Sequence, residues 1–169
     1  MHENRILIHK LKNFENINSN FLIITLMLFG SILLAISAKV QVPFWPVPMT
    51  MQTFVIFLIG MTYSVRLSFA TVAFYLFQGA IGLPVFAAGG GVAYLVGPTA
   101  GYLYGMLFAS IVISYLANLG FSKTYFKATV SLLIGSAIIF SFGIIYLGYI
   151  IGFEKAVAAG LLPFIPSEL

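Results

Sequence analysis

Hydrophobic positions along this chain come in long blocks, not in the period-two alternation of half-buried strands or the narrow stripe of a surface helix. The first block, residues 21–38, is interrupted only by Thr25, Gly30, Ser31 and Ser37. Further apolar blocks fall at about 49–65, 65–81, 99–118 and 128–152. A proline-rich joint (39–48), a glycine-rich segment without charge (82–98) and a short polar joint separate them. A helix crossing a hydrocarbon core of about 30 Å needs about 20 residues, so the pattern predicts five spans. Residues 153–169, with Pro163 and Pro166, read as an outer surface segment that runs into the start of a sixth span at Glu168 and Leu169.

Charge supports that division. Only eight basic and four acidic residues occur, 7% of the chain, while 61% is apolar; an average soluble domain is about 25% charged. A soluble fold could not cover its surface with so few charges. The expected class is therefore an all-α integral membrane protein, with 1–20 as a basic tail and 21–169 as the helical domain. Nucleic-acid partners are not expected. The uncharged stretches 16–38, 40–65, 67–122 and 128–153 hold one, one, two and one spans. With the N-terminus inside, Arg5, Lys10, Lys12, Arg66, Lys123 and Lys127 are cytoplasmic and only Lys39 and Lys155 are outside. That bias predicts a multi-pass plasma-membrane protein with a cytoplasmic N-terminus. The 18 residues from Phe21 to Ala38 exceed a signal-peptide core of about 7–15, and more spans follow, so cleavage after Ala35-Ile36-Ser37 is the lesser reading.

Several local features suggest close packing or a ligand. Ser31, Ala35 and Ala38 form a small-residue stripe on span one, suited either to internal packing or to a separate subunit. Trp45, set among Pro43, Pro46 and Pro48, is either an interfacial anchor or a pocket wall. Thr50 suits a helix cap, whereas Gln52 has no such simple explanation. The 82–98 segment, with Gly89, Gly90 and Gly91 in succession, is too apolar to lie in water and is expected to fold back and line a cavity. Thr99 is placed to cap span four, where Gly101, Gly105 and Ala109 make a packing ladder flanked by Tyr102 and Tyr104. Gly148 and Gly152 suggest close packing at the end of span five.

Chemistry is sparse by comparison. No charge falls within a span, which disfavours a proton relay or a cation path. His2 and His9 lie on the tail, there is no cysteine, and GxSxG, HExxH and P-loop patterns are absent. No enzyme, metal site or cofactor is expected. Aromatic, glycine and uncharged donor residues gathered on the outer side suit a small, mostly apolar solute with a few polar groups.

Four ordered motifs resemble the BioY family, the biotin-binding S components of energy-coupling factor (ECF) vitamin transporters. They are Pro46-Val47-Pro48-Met49-Thr50-Met51-Gln52-Thr53, Gly79-Ala80-Ile81-Gly82-Leu83-Pro84-Val85-Phe86-Ala87, Gly97-Pro98-Thr99-Ala100-Gly101-Tyr102-Leu103, and Ala159-Gly160-Leu161-Leu162-Pro163-Phe164-Ile165-Pro166. The resemblance implies six helices and an outward-opening biotin pocket. It implies that Ser31 and Ala35 dock a transmembrane coupling subunit working with two ATPases, so that ATP is used only by partners. It also implies that the whole subunit topples in the membrane to deliver its ligand.

Two departures bear on the pocket. Gly90 stands where the family often has an arginine, and Glu168 stands for an aspartate in the closing motif. Biotin carries a ureido ring, an apolar thioether bicycle and a negatively charged valerate tail. The resemblance implies that Glu168 accepts the ureido N–H groups, that Gln52 or Thr50 serves the ureido oxygen, and that Trp45, Phe86 and Tyr102 cover the rings. Gly89, Gly91 and Thr99 complete the implied binding set. Lys39 and Lys155 read as solvated loop lysines. A truncated or non-binding structural membrane subunit that packs through its glycines is the alternative.

Overall fold

The computed structural model describes residues 19–160. Helix α1 spans Ser19–Lys39, and a two-stranded antiparallel ribbon, β1 (Gln41–Val42) and β2 (Met49–Thr50), follows it. Then come α2 (Gln52–Thr62), α3 (Val65–Ala80), the single turn α4 (Val92–Leu95), α5 (Ala100–Asn118), a 3-10 turn at Phe121–Lys123, α6 (Tyr125–Ile151) and α7 (Phe153–Gly160). The apolar blocks are mostly helical. Residues 1–18 and 161–169, and with them Glu168, lie outside the described residues.

Among the described residues, three helices are long and apolar enough to cross a membrane: Asn20–Lys39, Ala100–Asn118 and Tyr125–Ile151. Of the other two blocks, the expected 49–65 is shorter, whereas 65–81 is matched to within one residue. α2 has 11 residues and α3 has 16, rising about 16 and 24 Å at 1.5 Å per residue. The shortening of α2 has a local cause. Pro43, Pro46 and Pro48 remove amide donors, and Met49 and Thr50, assigned to the span by the sequence pattern, instead pair with Val42 and Gln41. Expected capping also differs. Thr99 precedes α5 but makes no side-chain cap bond. Thr50 lies one residue before the capping position, held by Met51, although its hydroxyl accepts the Gln52 amide N–H at 3.4 Å.

α5 is the central helix, packed against α2, α3 and α6. Its small residues explain why the helices come so near. A Cβ at Gly105 would meet the Ile139 backbone at 2.8–2.9 Å, and one at Gly60 of α2 would meet Ile113 of α5 at 2.7 Å. The predicted ladder thus packs α5 on α6, and Ala109 is wholly buried. Buried hydroxyls bond between helices: Ser68 Oγ donates to the Ser110 carbonyl at 3.2 Å, and Ser114 Oγ reaches the carbonyls of Gly60 and Tyr63 at 3.0 Å. In lipid, association depends on such close packing and bonding, because apolar surface alone gives little drive.

The stripe on α1 turns inward. Ser31 is 1% exposed and its hydroxyl donates to Gln78 Oε1 of α3. Ala38 is buried, Ala35 is half-buried, and Gly30 abuts Thr71 and Tyr63. Of the two uses open to this stripe, internal packing is the one that Ser31 and Ala38 serve here. Large side chains such as Phe29, Ile32 and Ile36 cover the opposite, exposed face. At its far end, α6 stops at Gly152, whose φ of 90° turns the chain into α7, and Phe153 then packs against Gly148.

Candidate ligand-binding site

The charge-free segment between α3 and α5 does fold back on the protein, and its hydrogen bonds explain how. Buried or half-buried backbone carbonyls need donors, and here they come from all sides. Lys39 Nζ donates to the Phe86 carbonyl at 2.6 Å, Gln41 Nε2 to that of Ala87 at 3.4 Å, and the Tyr75 hydroxyl to that of Val85 at 3.0 Å. Tyr104 and Tyr146 donate to the carbonyls of Leu95 and Val96 at 2.8 and 3.0 Å. The Gly91 amide donates to the Gly79 carbonyl at 2.7 Å.

Beneath this loop lies a small cavity, partly open to solvent. The ribbon supplies Val47, Pro48, Met49 and Thr50, and α2 supplies Gln52 and Thr53. Ala87 and Tyr94 come from the loop. Thr99, Tyr102, Leu103 and Met106 approach from α5, and Ile139 and Phe140 from α6. Among the described residues the lining is aromatic and aliphatic with a few hydroxyl and amide groups, and carries no charge. That is the make-up of a site for a compact, largely apolar small molecule with a small number of directed polar contacts.

Four residues singled out in the sequence meet there: Thr50, Gln52, Thr99 and Tyr102. Gln52 is 4% exposed, and each end of its amide makes one hydrogen bond. Its Nε2 donates to the Tyr75 hydroxyl at 2.8 Å, and its Oε1 accepts from the Thr50 hydroxyl at 3.2 Å. Tyr102 lays its ring against Gly143, where no Cβ fits, and meets Phe140 edge-on at 6.3 Å and 87°. Its hydroxyl donates to the Gly160 carbonyl at 2.8 Å, fastening the end of α7 beside the cavity.

The other four candidates within the described residues stand elsewhere. Trp45 is 86% exposed at the ribbon tip. Phe86 is buried behind the cavity wall, stacked on Tyr94 at 4.9 Å and edge-on to Tyr75 at 5.4 Å. Gly89 pairs with Phe86 in an isolated bridge, and Gly91, at φ 101°, opens α4. These two glycines shape the loop without lining the cavity. At Gly90 a Cβ would run into the Leu83 carbonyl, so the arginine that the family often carries there needs a different loop path.

Sequence reading did not place Tyr94, Phe140, Met106 or Thr53 in the binding set. Thr53 and Tyr94 carried a weak signal, one at the close of a quoted motif and the other inside the charge-free loop. Phe140 and Met106 carried none, since every face of their helices is apolar.

The BioY family model matches residues 10–169, nearly the whole chain. The chain belongs to the BioY family. Among its relatives, the probable biotin transporter BioY of Rickettsia prowazekii is 37% identical across 90% of this chain and 78% of its own length. The biotin transporter BioY of Thermotoga maritima is 38% identical across 81% of each. Among solved structures, the S-component for biotin from an ECF-type ABC transporter superposes with a TM-score of 0.79, at 25% identity, over 90% of this chain and 86% of that one. As a BioY-family chain it is a membrane transporter component, not an enzyme.

Proposed function

We propose that this chain takes up biotin, binding the vitamin in the cavity under the 82–98 loop and passing it inward with an ECF energising module. The observation that carries this reading is the cavity itself, whose described lining is apolar with a few uncharged polar groups, on a fold shared with an S-component for biotin. Tyr94, Tyr102 and Phe140 cover the apolar bicycle. Gln52 and Thr50 meet the ureido group, and Glu168 receives the ureido N–H groups through charge-assisted bonds. The chain holds no cofactor of its own. A transmembrane coupling subunit docks against it, and two ATPase subunits hydrolyse the ATP. The protein resides in the cell membrane with its N-terminus in the cytoplasm, and Arg66, Lys123 and Lys127 sit at that side.

Uptake tests this reading. A biotin-auxotrophic, transport-deficient bacterium expressing the chain with an ECF module should accumulate labelled biotin. Excess unlabelled biotin should suppress that signal, and riboflavin or thiamine should not. Accumulation no greater than in the empty-vector strain would contradict the proposal.

A further inference from the structure

Gln52 is a buried amide whose two ends are chemically different but nearly identical in shape, so something must decide which end faces where. A primary amide has two N–H donors and two acceptor lone pairs. The Tyr75 hydroxyl has one proton, and that proton goes to the Val85 carbonyl at 3.0 Å. Its oxygen is therefore an acceptor toward Gln52, and the Gln52 group 2.8 Å away must be the NH₂ end. The carbonyl end then faces the Thr50 hydroxyl at 3.2 Å. Turning the amide over would place its oxygen against the Tyr75 oxygen, whose proton is already committed, and its NH₂ against a hydroxyl already accepting the Gln52 backbone N–H at 3.4 Å. Tyr75 is 1% exposed and lies outside the cavity lining, so it acts only through its neighbour.

We infer that Tyr75 is a positioning residue, which fixes the Gln52 amide so that one N–H and one carbonyl lone pair face a cyclic urea in the cavity. That pair complements the adjacent C=O and N–H edge of such a ring. The inference deepens the biotin reading and rests on it. The same chain of bonds ends on Val85, next to Phe86 and Ala87, so the loop wall and the amide are set together.

The test compares biotin with 2-iminobiotin, in which an imino group replaces the ureido oxygen, by calorimetry on the purified full chain. The variants are Tyr75→Phe, Gln52→Ala, their combination, and Thr50→Val. Tyr75→Phe should weaken biotin about tenfold, the scale of a buried donor left unpaired, and narrow the preference for biotin over 2-iminobiotin. The double variant should bind no more weakly than Gln52→Ala alone. Thr50→Val, which frees the other end of the amide, should narrow the same preference and decides the question if Tyr75→Phe does not fold. Equal weakening of both ligands, or losses that add in the double variant, would overturn the inference and leave the biotin reading standing. An unchanged preference in Thr50→Val overturns it too. Failure of the unaltered chain to bind biotin overturns the biotin reading, and this inference with it.

Discussion

Tyr102 shows how much one side chain in this protein carries. Its ring lines the cavity, its face excludes any Cβ at Gly143, and its hydroxyl holds the Gly160 carbonyl at the end of α7. Tyr102→Phe keeps the ring and removes the bond to Gly160. It should destabilise the protein by about 1 kcal/mol and change biotin affinity little, as thermal melting and titration in detergent would record. If Gln52 meets the ligand as proposed, Gln52→Ala should cost about tenfold in affinity; unchanged affinity would remove Gln52 from the site. At this scale the sequence was informative where a polar residue stood out against an apolar block. Gln52 lacked a capping role, and that oddity pointed to the cavity. Trp45 and Phe86 show the opposite case. Their size and motif position suggested pocket walls, but whether an aromatic faces a cavity, a neighbour or the outside depends on the path of the surrounding backbone.

Elements were legible in proportion to how local their causes are. Long apolar blocks bounded by charge gave α1, α5 and α6 to within a few residues. The β1–β2 ribbon was not legible, because two-residue strands leave no periodicity and their pairing spans six intervening residues, 43–48. The loop was half legible. Its lack of charge required that it fold back, while its route is fixed by donors from four distant places, Lys39, Gln41, Tyr75 and the Tyr104–Tyr146 pair. Lys39→Met should therefore speed amide hydrogen exchange across residues 82–91 and leave α5 and α6 unchanged; exchange no faster than in the unaltered chain would deny Lys39 its clamping part. Among the helices, Gly105→Leu would force a side chain onto the Ile139 backbone and should destabilise the α5–α6 pair by about 1–3 kcal/mol. A melting temperature unaffected by that change would show that the two helices can separate freely.

For the molecule as a whole, the sidedness of charge gives an orientation that can be measured directly. The chain has no cysteine of its own, so single cysteines report cleanly. In intact cells Lys155→Cys should react with a membrane-impermeant maleimide, and Lys123→Cys should react only after the membrane is opened. The reverse pattern would place the cavity on the cytoplasmic side. The central claim is that this cavity binds biotin, and the most direct measurement is calorimetric titration of the purified chain with biotin in detergent. Saturable one-to-one binding with a nanomolar Kd, weakened by Gln52→Ala, is the predicted result. No binding at micromolar biotin by a folded, monodisperse sample would contradict it.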